Sequence, residues 1–84
     1  MRNHVERMNP GSWHITTPMM RAPRTTARQV LAEAGHRGMR LIEYSADLGY
    51  RPPQTPHATL MWFGSRETDG RYTASWALDV HAHA

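Results

Sequence analysis

Three side chains near the end of the sequence have the types and spacing of metal chemistry. In "SWALDVHAHA", residues 75–84, Asp79, His81 and His83 alternate with apolar residues, so on a β-strand all three point to one face. A His-x-His pair on a strand sets two imidazoles about 7 Å apart, a spacing that zinc sites use, and Asp79 could add an oxygen. Two features weigh against a metal. The segment stands at the end of the sequence, where backbone tends to fray and holds ligands poorly. Catalytic zinc also needs three well-held ligands, and His4, His14, His36 and His57 are single and scattered. The tail therefore reads as a closing strand with a solvated polar outer face, and no metal or cofactor is expected. On such a face the imidazoles would make partner binding sensitive to pH between about 5.5 and 7.

Other chemistries find less support. Cysteine is absent, which removes disulfides, iron–sulfur clusters, thiolate zinc sites and a cysteine nucleophile together. Ser12, Ser45, Ser65 and Ser75 lack the Gly-x-Ser-x-Gly elbow of a serine hydrolase. The six glycines sit at turns and form no phosphate-cradling loop. One enzymatic alternative stays open. Small toxin endoribonucleases position and protonate phosphate-linked groups with Arg, His and Tyr, and here Arg71, Tyr72, His81 and Arg40 would be such a set. The helix that RelE-like toxins carry before the sheet is missing, as is the glycine-serine-histidine strand of HicA-like ones. No catalytic residue is assigned.

Charge speaks more clearly. All ten basic residues are arginine. A GC-rich genome would explain that, while arginine's planar fork also suits phosphate, carboxylate and aromatic partners. Residues 1–40 hold seven arginines against Glu6 and Glu33, a net of +5; residues 41–84 have a net of −2. A basic first half points to a polyanion or an acidic protein surface as partner. Arg21, Arg24 and Arg28 cluster about the start of a helix, and Arg37 and Arg40 follow its end, so these five are the candidate partner-binding residues. No RNP1 pattern, helix-turn-helix or zinc finger accompanies them, so nucleic-acid binding is the secondary expectation.

The elements that must position these residues follow from periodicity. With 84 residues the chain makes one small domain, which buries only about 60% of its unfolded surface. In "GSWHITTPMM" Trp13, Ile15 and Thr17 alternate with polar residues as a strand does, and residues 1–9 add either a short strand or a loose arm. In "RAPRTTARQVLAEAGHRG" Thr26 and Gln29 form a capping box, Ala27, Val30, Leu31 and Ala34 form an apolar stripe, and Gly35 closes the helix. "MRLIEYSA" (39–46) is a strand, and "DLGYRPPQTP" (47–56) is a stiff, proline-held loop. "HATLMWFG" (57–64) is a central strand, Asp69-Gly70 a hairpin turn, and "YTASWALDVHA" (72–82) the last strand with Tyr72, Ala74, Trp76, Leu78 and Val80 inward.

The order β-α-β-β-β predicts an α+β domain, an antiparallel sheet with one helix packed on one face. The expected core is Trp13, Ile15, Val30, Leu31, Leu41, Leu60, Trp62, Trp76, Leu78 and Val80. Met61 and Phe63 fall on the far face beside Ile42, Tyr44 or Met39, and an uncovered apolar face there predicts a homodimer or a protein partner. "MRNHVERMNPGSW" has no apolar stretch of the signal-peptide kind, and no run approaches the ~20 apolar residues of a membrane span. The expectation is a soluble protein of a bacterial cytoplasm without a membrane role.

In size, element order and the helix–strand segment "TTARQVLAEAGHRGMRLIEYSA" (25–46), the chain resembles the small phage-encoded anti-CRISPR proteins. That resemblance implies a non-enzymatic inhibitor whose partner is a host protein or ribonucleoprotein complex. The basic charge departs from the acidic DNA-mimicking members, so the implied contact is with an acidic patch or a protein–nucleic-acid groove.

Overall fold

A computed structural model describes residues 3–82; His83 of the terminal His-x-His pair lies outside them. Five strands and one helix follow in the order β1 (His4–Asn9), β2 (Ser12–Pro18), α1 (Pro23–Glu33), β3 (Arg40–Ser45), β4 (His57–Thr68) and β5 (Arg71–His81). They form one sheet in the spatial order β1-β2-β5-β4-β3 with a single helix, an α+β fold. Of the two alternatives left open for residues 1–9, the short strand is the one that forms: residues 4–9 make an edge strand paired with β2. One feature of the sheet departs from the sequence expectation: β3 lies parallel to β4, so the sheet is mixed rather than wholly antiparallel.

The parallel pairing has a cause in the loop. Arg40 pairs with His57 and Ser45 with Trp62, so the chain leaves β3 at one end and must re-enter β4 at the other. A two-residue hairpin cannot do that; a crossover can. Residues 46–56, with Pro52, Pro53 and Pro56 holding the backbone extended, span the length of the strand without a helix. The β4–β5 hairpin, in contrast, closes through Asp69 and Gly70, whose φ angles of 53° and 74° fit the left-handed pair of a type I′ turn.

Alternation then sorts the side chains. Trp13, Ile15, Leu60 and Leu78 face α1 and bury against Ala27, Leu31 and Ala58, with Val30, Met39, Leu41, Trp76 and Val80 packed around them. Met39 thus joins the core instead of the far face. Trp62 is only half-buried, and Tyr72 is 59% exposed where the inward pattern placed it in the core. The β2–β5 pairing stops at Pro18 with Thr73, so Tyr72 sits where the hairpin has outrun its neighbour.

The helix begins earlier than the capping box implies. Pro23 occupies its first turn, where a missing N–H costs nothing, and Ala22 is the N-cap without a side-chain bond. Thr26, inside the helix, instead accepts a hydrogen bond from the Asn3 amide. The C-terminal end matches the expectation. Gly35, at φ +89°, lets its own N–H reach Ala32 and the His36 N–H reach Leu31, which is a Schellman closure.

Candidate functional site

Two regions carry the residues that could act on a partner or a substrate, one on each face of the sheet.

On the helix side, Arg21, Arg24, Arg28, Arg37 and Arg40 are all exposed. Among the described residues one ion pair occurs, between the Arg24 guanidinium and Glu43, which register places on the helix-covered face of β3. The others are not gathered into one patch. Arg28 and Arg37 line a small recess of about 220 Å³ at the C-terminal end of α1, together with His36 and Met39. Arg21 lies across the helix from them, in a groove between α1 and β1 that it shares with Arg7. Arg40 pairs with His57 and shares its face, opposite the helix. The helix layer therefore presents four of the five arginines on two flanks.

The opposite face collects the groups that resemble acid–base chemistry. His57 and His81 are cross-strand partners whose rings stack with centroids 4.7 Å apart. Tyr50, from the crossover loop, stacks on Tyr44 at 4.6 Å and leans on both imidazoles at 6.1 and 6.2 Å. The His81 Nε2 lies 3.1 Å from the Thr59 hydroxyl. The His57 Nδ1–H donates to the Thr55 carbonyl at 2.9 Å, which leaves Nε2 as a buried acceptor without a partner among the described residues. Burial, the neighbouring Tyr50 and the charge of Asp79 all push the Tyr44 phenol above its ordinary value, while a hydrogen bond to Thr59 works the other way. Tyr44 stays a neutral phenol at physiological pH.

This cluster is built as an anchor. His57 is 3% exposed, so a substrate atom has no approach to its ring. The rings are occupied with one another and with the loop. His81 was expected on a solvated outer face; it is half-buried, because the crossover loop runs over that face and Tyr50 covers it. The same loop covers Tyr44, one residue of the surface that had predicted a dimer contact, through Tyr50, while Phe63 is 53% exposed beside His14. No group of three His, Asp or Glu able to hold a metal occurs among the described residues.

The ribonuclease set is not assembled. Arg71 and Tyr72 begin β5 and His81 ends it, which separates Tyr72 from His81 by roughly 30 Å of extended strand. Arg40 alone of the other three stands near His81, through its pairing with His57. Sequence reasoning overlooked Tyr50 and Arg7. The signal for Tyr50 was an aromatic residue within a stiff, proline-rich segment; for Arg7 it was its place two residues from Val5, on the same face if residues 4–9 form a strand.

No helix of the described residues is long and apolar enough to cross a membrane. No family model matches the chain, and no curated protein or solved structure matches it either.

Proposed function

We propose that this chain acts by binding rather than by catalysis, as an inhibitor that docks its arginine-bearing helix layer on an acidic surface of a host protein or ribonucleoprotein complex. The observation that supports it is the contrast in how polar groups are used. The candidate arginines are exposed, and Arg24 alone has an acidic partner among the described residues. An exposed guanidinium without an internal partner contributes little to the fold, and its fork suits a carboxylate on another molecule. His57, His81, Tyr44 and Tyr50, in contrast, are engaged within the molecule. The resemblance in size and helix–strand segment to phage-encoded anti-CRISPR proteins supplies the concrete form, an inhibitor of a CRISPR surveillance complex; the additional strand β1 departs from that element order.

The test uses Arg28 and Arg37, which carry no ion pair in the described residues and so can be reversed without disturbing Arg24–Glu43. Immobilised wild-type protein and the Arg28→Glu/Arg37→Glu variant are compared for retention of proteins from a bacterial host extract, with circular dichroism as the control for folding. Loss of a specifically retained protein by at least about tenfold is expected. Equal retention by a folded variant overturns the proposal. Binding of purified RNA or DNA with no protein present, falling steeply with salt, would replace it by a nucleic-acid-binding function.

A further inference from the structure

A groove of about 790 Å³ lies between β1 and α1 on the helix side of the sheet. Its size falls within the range of specific binding sites, roughly 300–1,000 Å³. It exists because α1 packs against the middle of the sheet, burying Ala27 and Leu31, while the edge strand β1 is exposed along its whole length. Val5, Trp13 and Val30 give it an apolar floor and wall. Asn3 ties the strand to the helix through Thr26.

We infer that this groove receives an extended, acidic peptide segment of the partner. The inference rests on the binding function proposed above and names the partner chemistry for one flank of the helix layer. Three observations carry it. First, the dimensions fit: from Ala22 to Ala34 the helix wall runs about 18 Å, the length of five or six residues of extended chain at ~3.3 Å each. An extended segment turns alternate side chains to opposite sides, so it can set apolar residues on Val5 and Val30 while its acidic residues stay at the rim.

Second, the charge is favourable and uneven. Arg21 stands at the Pro18 end of the groove, tied there by its N–H bond to the Pro18 carbonyl, and Arg7 stands at the other end, paired with Trp13. Glu33 is the one acidic residue of the lining. It lies at the C-terminal end of α1, which runs back along β2 toward Trp13, and so it offsets Arg7 more than Arg21. The carboxylate preference is therefore strongest at Arg21.

Third, the Asn3 side-chain oxygen is buried at the groove with no hydrogen-bond partner among the described residues. A peptide backbone brings an N–H donor at each non-proline residue, whereas phosphate groups are acceptors only. Trp13 is 8% exposed, so the groove also lacks the open aromatic platform on which bases stack. Both features favour peptide over nucleic acid.

The experiment is a titration of the ¹⁵N-labelled full chain with three probes: the blocked pentapeptide Val-Glu-Val-Glu-Val, its Val-Lys-Val-Lys-Val counterpart, and oligo-uridine. The acidic peptide is expected to shift the Trp13 indole and the amides of Arg21 and Gln29, and the lysine peptide to leave them unmoved. Arg21→Gln should weaken the acidic peptide by about tenfold and Arg7→Gln by less. Absence of shifts, shifts centred on Arg28 and Arg37, or an equal response to oligo-uridine overturns the groove assignment. Retention from host extract separates the two levels. If Arg28→Glu/Arg37→Glu loses the partner while Arg7→Gln/Arg21→Gln keeps it, the groove inference falls and the binding function stands. If folded Arg28→Glu/Arg37→Glu itself retains the partner undiminished, the binding function falls, and the groove inference that rests on it falls as well.

Discussion

The two faces of this sheet handle polar side chains in opposite ways. Under the helix the interior is apolar, and the charged groups stand at the rim: Arg21, Arg28 and Arg37 are exposed, and Arg24 reaches Glu43 at the surface. Under the crossover loop the polar groups are the interior. Thr59 is 1% and His57 3% exposed, and the rings of Tyr44, Tyr50, His57 and His81 pack on one another. Residue types alone would have assigned chemistry to the second face, because it holds the His57–His81 pair. Their surroundings favour a structural task, since rings that pack on one another beneath a loop, with His57 3% exposed, have little left to offer a partner.

That contrast can be broken by measuring what each face contributes to stability. Leu60→Ala, in the core under the helix, should cost about 2–5 kcal/mol in denaturant unfolding, because Leu60 is fully buried and the site cannot collapse freely. Tyr50→Ala should cost less, about 1–2 kcal/mol, through lost ring packing on Tyr44 and the two imidazoles. It should also raise amide exchange in residues 46–56. No loss at all would mean that the ring cluster does not hold the loop.

Smaller effects sharpen the comparison. Arg24→Ala removes the one ion pair described, but its side chain is 69% exposed, so the cost should stay at about 0.2–1 kcal/mol and shrink in salt. The least effect at neutral pH belongs to Tyr44. Because its folded pKa is raised, the contribution of the neutral phenol is complete below the ordinary value of about 10 and is lost as pH rises through the folded value. Wild-type stability should therefore fall on the alkaline side, and Tyr44→Phe should flatten that limb while changing stability at pH 7 by no more than about 0.5 kcal/mol. An unchanged alkaline limb would show that another group produces it.

Much of the helix-side face was legible in the sequence because periodicity encodes burial. Trp13, Ile15, Leu31, Leu60 and Leu78 are buried as their alternation and helical spacing require, and Gly35 ends the helix where its type demands. The loop-side face was not legible, for a physical reason. Tyr50 belongs to no periodic element, and its place depends on the direction in which β4 re-enters the sheet. The assumption of an all-antiparallel sheet would return the chain by a turn, leaving His81 in solvent. The parallel crossover carries Tyr50 over His81 instead. β1 stayed open between a strand and an arm for a different reason: all six of its residues are exposed, so it has no apolar alternation to read and is held through its ladder to β2. The exposure of the candidate arginines followed from their type; their division between the two flanks of α1 required the fold.

One comparison tests most directly whether the helix side binds while the loop side holds the fold. Retention of partner from host extract is measured side by side for wild type, Arg28→Glu/Arg37→Glu and His81→Ala, with each protein's unfolding curve recorded. The expected result is loss of the partner by the arginine variant at unchanged stability, and full retention by His81→Ala at reduced stability. The reverse pattern, with binding lost at His81 and kept at Arg28 and Arg37, would contradict the division between the two faces.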